Sequence, residues 1–477
     1  MNPFYLLLPE DKPALSDKNT TITYKELIPE AVKIRDWMMS QGYKYGHRIG
    51  IAGSQSVDTY KYILAAQMLS SAVGLRCDYK DDWDWKTKAS NLNVILELDE
   101  DVKVHHKHFD KSTFCTKEFL VFFSSGTTSS NYGIPRTTPM CWEIDEDNWG
   151  QSLEVNHYCR ALVNEYVHSP EKNIQIQPMQ YWIPWAQELV TCNLVKQGHT
   201  IIVDKADEWD PLVEKFQPTW TSMFPSVALR LRDNNLGMPG LKCVEFSGAR
   251  VTMKQVELLK DFFKCDYFTS HYGTSQAGNL TATSGDGSNL QHFGRPCPGF
   301  VHAFGEDIVR IGKNGTMECK WPANPPTEMD EEGYWDTNDI CTIGNDGNYQ
   351  FLGRKDEMIL IFKGGGKFHA PTVENILLEH EQLEEVYIYP IQDPEEVECG
   401  VHFQEPGCLY LGDLSVDEMY DYCLNRLPPY QRPIEIHKLR SSFEDFMPER
   451  IWKVRRNSMN DWIQEKHDEW CSDSYYQ

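Results

Sequence analysis

Nowhere does the sequence hold the run of about 20 apolar residues that a membrane-spanning helix needs. The opening MNPFYLLLPEDKPAL has only a short apolar run and no basic flank, which argues against a signal peptide and makes the cytoplasm the expected location. No CxxC pair occurs either. The 14 cysteines stand singly, at Cys77, Cys115, Cys141, Cys159, Cys192 and onward, the pattern of buried free thiols rather than of a zinc site or a disulfide framework. Positive charge is scarce: 46 Lys and Arg face 71 Asp and Glu, a net charge of −25, so the basic face that nucleic acid requires is not expected. A Walker A loop, GxxxxGK followed by Ser or Thr, is also missing; GGGKF at 364–368 lacks the first glycine spacing and the hydroxyl. The histidine cluster His105, His106 and His108 has ligand atoms for a metal, but it sits in a polar segment and reads as a surface loop.

What is present is the material of a folded enzyme-sized chain. Its 477 residues predict two or three domains, and 40% hydrophobic with 25% charged residues is ordinary globular composition. TYKELIPEAVKIRDWMMSQGY spaces Leu27, Ile28, Ala31, Ile34, Trp37 and Met38 on one helical face, with Gly42 placed to end the helix. HRIGIAG reads as a short buried strand, TYKYILAAQMLSSAVG as a second helix stopped by Gly74, and HTIIVD after Gly198 as another strand. Alternating units of this size predict an α/β fold, a large N-terminal part of parallel-type sheets layered with helices. After Gly294 the KNG and NDG turns separate short strands, a β-rich portion. From Glu357 a small α+β unit is expected, opening on the helix TVENILLEHEQL.

One loop asks for a ligand. In FLVFFSSGTTSSNYGIPRTT an apolar strand stops, and Ser124, Ser125, Thr127, Thr128, Ser129 and Ser130 crowd around Gly126. Hydroxyls and free backbone N–H groups beyond the carboxyl end of a parallel strand can cradle phosphate oxygens. A polar turn would look the same in isolation.

Other motifs supply the context. SSGTT resembles the phosphate-binding signature of the adenylate-forming superfamily: acyl- and aryl-CoA synthetases, nonribosomal adenylation domains and luciferases. TITYKEL, FSGAR, HYGTSQ, GYWDTND, FLGRKDEMI, KGGGKFHAPTVENIL and MPERIWKVRR are each similar to a motif of that superfamily, and they occur in the same order. Stand-alone aryl-acid AMP ligases look closest, because Ile134-Pro135-Arg136-Thr137-Thr138 matches their IPRTH segment at the same offset.

The resemblance implies an acid–thiol ligase that uses ATP and Mg2+ in two half-reactions. Ser124, Ser125, Gly126, Thr127 and Thr128 would hold the phosphates; Gly248, Ala249, Arg250, Tyr272, Gly273 and Thr274 would line the adenine side, with Tyr272 stacking on the base. Asp339 would accept from the ribose hydroxyls, a task suited to a carboxylate. Arg354 would reach the ribose or phosphate, or instead form an ion pair between domains. Lys453 would neutralise charge growing on the α-phosphate, or be one more cation beside Arg450, Arg455 and Arg456. His271 and Gln276 complete the expected catalytic set, with Gln276 as the Mg2+ ligand and Asp356 as the hinge pivot. The domains implied are 1–353, a hinge at 354–357, and a mobile 358–477 carrying the lysine. Tyr181, Trp182, Ile183, Trp185 and Ser247 would bind a flat, apolar or aryl carboxylic acid. The thiol would be a phosphopantetheine arm, on a separate carrier protein or CoA, since the sequence runs to CSDSYYQ without a carrier domain.

Three departures from the superfamily pattern stand out. Ser129, Asn131 and Tyr132 stand where a glycine, proline and lysine are usual, Gln276 replaces a glutamate, and Asn338 replaces the glycine of TGD. A glutamine carbonyl carries less charge toward a hard cation, so weaker metal binding is expected. A catalytically silent nucleotide-binding relative, or an amino-acid-activating enzyme, are the alternatives.

Overall fold

The structure is a computed structural model and describes residues 8–69, 72–75, 92–98, 102–107, 118–123, 135–139, 173–181, 183–248, 251, 253–265, 267–274, 278–288, 290, 292–296, 306–320, 329–355, 358–360, 367–391, 404–439 and 475–476. Among them the largest sheet is built on parallel strands. In spatial order Tyr267–Thr274, Cys243–Ser247, Trp220–Met223, Ile174–Gln177, His199–Ile202 and Pro13–Ser16 run parallel, each bonded to the next. Antiparallel strands flank them, Gly278–Gly285 and Arg295–Pro296 on one side and Thr21–Thr23 on the other. Burial from both faces explains strands such as Cys243–Ser247, enclosed at all five positions.

A second sheet of six strands places Arg48–Ala52 parallel between Ala72–Leu75 and Val94–Leu98. Glu118–Phe123 runs parallel to Ala72–Leu75 and then pairs antiparallel with Pro135–Pro139, Phe123 opposite Pro135. Phe123 and Pro135 therefore stand side by side at the carboxyl end of the parallel strands. The helix Tyr24–Ser40 is capped by Thr23 and Glu26 in a reciprocal box and buries Leu27, Ala31 and Met38. Gly42 follows it at φ 91°, as the sequence leads one to expect.

Four antiparallel strands, Val309–Ile311, Thr316–Cys319, Trp335–Ile343 and Tyr349–Arg354, form the β-rich portion. Gly315 and Gly347 turn its hairpins at φ 79°. Residues from Phe368 to Ile436 enclose a hydrophobic cluster of their own, around the helices Ala370–Leu377 and Val416–Arg426 and the strands Leu383–Ile391, Glu405–Gly412 and Glu435–Lys438. Lys254, on the helix Met253–Phe263, reaches that unit and donates to the carbonyls of Glu381 (2.7 Å) and Leu383.

Three local expectations are corrected. The helix before Gly74 is Val57–Met68, and Gly74 lies within the strand Ala72–Leu75, paired with Gly50 across the sheet. His105 and His106 belong to the edge strand Val102–Lys107 rather than to a loop, while His108 lies outside the described residues. The helix expected over TVENILLEHEQL starts at Ala370, with a proline in its first turn, and stops at Leu377, because Leu383 already begins the next strand.

Candidate active site

Three expected site residues meet at the junction of the large sheet with the four-stranded one. Tyr272 lies on Tyr267–Thr274, Asp339 on Trp335–Ile343 and Arg354 at the end of Tyr349–Arg354. Asp339 and Arg354 are register partners, so the antiparallel ladder itself sets them side by side. The Arg354 guanidinium donates to Asp339 Oδ1 at 3.1 Å, and the Tyr272 hydroxyl donates to Oδ2. Burial, followed by the adjacent carboxylate, pushes the Tyr272 phenol well above the ordinary tyrosine range, which keeps it a donor. Asp339 is 5% exposed. The arrangement is a buried carboxylate whose two oxygens face two donors, a place where diol hydroxyls could enter or replace them.

The backbone before Asp339 explains one departure. Asn338 sits at φ 62°, left-handed backbone that glycine takes freely and asparagine tolerates better than most residues. Asn338 therefore preserves the geometry that a glycine would give.

Gly248 closes the strand Cys243–Ser247 at φ 79°, and a Cβ there would lie 2.2 Å from the Phe224 ring. Only glycine lets the strand end approach that aromatic. Ser247 spends its hydroxyl on the His271 carbonyl, 2.8 Å away on the next strand. His271 is buried, with Nε2 3.8 Å from Glu245 Oε1. Tyr272 stacks on Phe293 with centroids 3.7 Å apart, and Phe293 stacks on Phe351 at 4.9 Å. One face of Tyr272 is thus covered, leaving only the other for a base. Gly273 and Thr274 continue the strand past a register shift, and Thr274 pairs with Gly278.

The acid-binding expectations divide. Tyr181 is 1% exposed, and its hydroxyl both donates to the Gly53 carbonyl and accepts from the Gly53 N–H, each at 2.9 Å. It is a packing residue that ties two sheets together, because its one polar atom is already engaged on both sides. Trp185 instead lies beside Phe224, with ring centroids 5.9 Å apart, and Ile183 packs against the same cluster around Trp220 and Cys243. Trp182, Ala249, Arg250, Gln276, Asp356, Lys453 and the loop residues Ser124, Ser125, Gly126, Thr127 and Thr128 lie outside the described residues. Sequence reading passed over Phe224, Phe293 and Glu245. Only Glu245 carried a usable signal, a charge inside an otherwise uncharged five-residue strand. No group of three or more His, Cys, Asp or Glu is placed to hold a metal among the described residues, and no helix among them is long and apolar enough to cross a membrane.

A scan against protein-family models finds no match. Individual proteins do match. A 2-succinylbenzoate–CoA ligase of Staphylococcus epidermidis is 20% identical over 465 residues, covering 90% of this chain and 91% of its own length. The o-succinylbenzoate coenzyme A synthetase of Bacillus subtilis in complex with AMP superposes with a TM-score of 0.72 at 15% identity, covering 96% of this chain and 97% of that one. An anthranilate CoA ligase in complex with anthranoyl-AMP gives a TM-score of 0.72 at 13% identity, with 97% of both chains covered.

Proposed function

Starting from a chain that shares sequence and fold with the adenylate-forming ligases, we propose that it activates a carboxylic acid with ATP and passes the acyl group to a thiol. The observation that carries this reading is the meeting of Tyr272, Asp339 and Arg354, beside a strand end that must be Gly248. In the first half-reaction an acid oxygen bonds to the α-phosphorus of ATP, the bond to the β-phosphate oxygen breaks, and pyrophosphate leaves. In the second, the thiol sulfur bonds to the acyl carbon, AMP leaves with the former acid oxygen, and the thiol proton is released. Such chemistry is chiefly positioning and charge stabilisation.

Asp339 would accept from the ribose hydroxyls, with Arg354 orienting its carboxylate. Gly248, Ala249 and Arg250, with Gly273 and Thr274, would border the adenine. The hydroxyls of Ser124, Ser125, Thr127 and Thr128, with Gly126, would hold phosphate oxygens, at a sheet edge consistent with the pairing of Phe123 and Pro135. Mg2+ would neutralise the phosphates, with Gln276 as a ligand. Lys453 would offset charge on the α-phosphate, and residues 354–357, including Asp356, would let the unit after 358 move against 1–353. The acid is an aryl or other flat one, received near Ile183, Trp185, Ser247 and His271. The acceptor is CoA or the phosphopantetheine of a separate carrier protein, and the reaction belongs to the cytoplasm.

Acid-dependent ATP–pyrophosphate exchange in Mg2+ tests the reading. Exchange with one class of acid, abolished by Lys453→Ala, is the expected result. Silence across a broad acid panel with nucleotide still bound would favour a silent relative.

A further inference from the structure

The face of the large sheet that carries Trp220 and Cys243 also carries a row of polar groups. Register pairs Ser222 with Glu245 and Glu245 with Thr269, and Gln177 lies two residues beyond Gln175, the partner of Trp220. Side chains two apart on a strand share a face, so Gln177, Ser222 and Glu245 stand in sequence across three neighbouring strands. All three are 0% exposed. Gln177 Nε2, Ser222 Oγ and both carboxylate oxygens of Glu245 have no hydrogen-bond partner. His271 stops 3.8 Å short of Glu245 Oε1, beyond hydrogen-bond length.

A buried carboxylate without a hydrogen-bond donor is costly to keep. The protein spends this cost at the carboxyl end of parallel strands, where ligands of open α/β sheets bind. The row lies one residue pair before Ser247 and His271, on the face that also packs Trp185 and Phe224 around Cys243. We propose that Glu245, with Ser222 and Gln177, is a specificity site that receives a hydroxyl or ring amino substituent of the acid substrate. The inference rests on the ligase reading and narrows its substrate class.

The chemistry of the three groups selects the substituent. An ionised carboxylate only accepts, the Gln177 amide nitrogen only donates, and a serine hydroxyl does either. A group that gives a proton to Glu245 and takes one from Gln177 is a hydroxyl or a neutral amine. A bare apolar ring leaves all three unpartnered, and a second carboxylate faces Glu245 with like charge.

The test compares matched acids on the full-length protein: benzoate, its hydroxy and amino derivatives, and a benzene dicarboxylate, each with ATP and Mg2+. Binding is read by thermal shift and turnover by pyrophosphate exchange. At least one hydroxy or amino acid should bind about tenfold or more tightly than benzoate, as a hydrogen bond to a charged group implies, and the dicarboxylate should not bind. Glu245→Gln should erase most of that preference while leaving the ligand-free melting temperature equal or higher, because it replaces a buried carboxyl group that no donor meets with a neutral group of the same shape. Ser222→Ala should reduce the preference more mildly. Equal binding of benzoate and its derivatives, or an unchanged preference in Glu245→Gln, overturns the proposal even if exchange is vigorous. A Glu245→Gln protein that melts lower and keeps its preference would mark Glu245 as a structural partner of His271 and overturn it too. Absence of exchange with every acid counts against the ligase reading instead, and the thermal shifts still decide the role of Glu245.

Discussion

At φ 62° the cost of a side chain falls on Asn338, and the next residue is the carboxylate of the candidate site. Replacing it with alanine should lower stability by about 1 kcal/mol, the penalty for left-handed backbone without a locally bonding side chain, whereas glycine should be tolerated; chemical denaturation reads both. Asp339→Ala removes both acceptor atoms, and the KM for ATP in the exchange assay should rise about tenfold or more, the scale of a lost hydrogen bond to charge. Glycine at 248 admits no methyl, since Phe224 occupies that space. His199 gives a pH signature. It is buried beside Phe216 with Nε2 2.8 Å from Ser16 Oγ, and burial lowers its pKa to about 4. The folded protein keeps the ring neutral while the unfolded chain protonates it below its ordinary value of about 6.5. Stability should therefore fall between pH 6.5 and 4, by roughly 3 kcal/mol in all, and His199→Gln should remove that slope from pH-dependent denaturation.

Among elements, the strand pairings decide which side chains meet. The hairpin of Trp335–Ile343 and Tyr349–Arg354 delivers Asp339 and Arg354 as a pair, and the parallel neighbour Tyr267–Thr274 brings Tyr272. Tyr181 shows the reverse case: a residue that looks like a ligand contact in sequence but serves to hold elements together. Its hydroxyl is the clasp between Gly53, just past Arg48–Ala52, and the segment after Ile174–Gln177. Tyr181→Phe leaves the Gly53 N–H and carbonyl without that partner, so a stability loss of about 1–3 kcal/mol is expected on denaturation, with acid preference unchanged. A shift in acid preference without loss of stability would restore it as a binding residue.

On the scale of the whole molecule, Lys254 is a bond between units that the sequence keeps more than a hundred residues apart. It donates to the carbonyls of Glu381 and Leu383, next to a helix and strand with their own core. Such a contact favours one placement of the C-terminal unit over others, and the hinge motion proposed above would have to break it. Lys254→Ala should change the rate of thioester formation relative to pyrophosphate exchange by several-fold without altering ATP affinity. Equal effects on both half-reactions would argue against that role.

Periodicity and glycine placement were enough to read the parallel sheet, the helix Tyr24–Ser40 and the turn-rich portion after Gly294, because those signals depend on the chain's own neighbours. Ordered motifs likewise brought Tyr272, Asp339 and Arg354 to notice. Local pattern could not show that Gly74 sits against Gly50 in a strand, since that depends on which strands become neighbours. Nor could it separate Tyr181, whose hydroxyl is consumed by Gly53, from Trp185, which is not so engaged. The charge of Glu245 was visible in CVEFS, but its meaning comes from burial on both faces and from Ser222 and Gln177 arriving beside it on other strands. Residue type and spacing are properties of the chain alone. Whether a polar atom is already satisfied depends on distant segments, and only the fold brings those together.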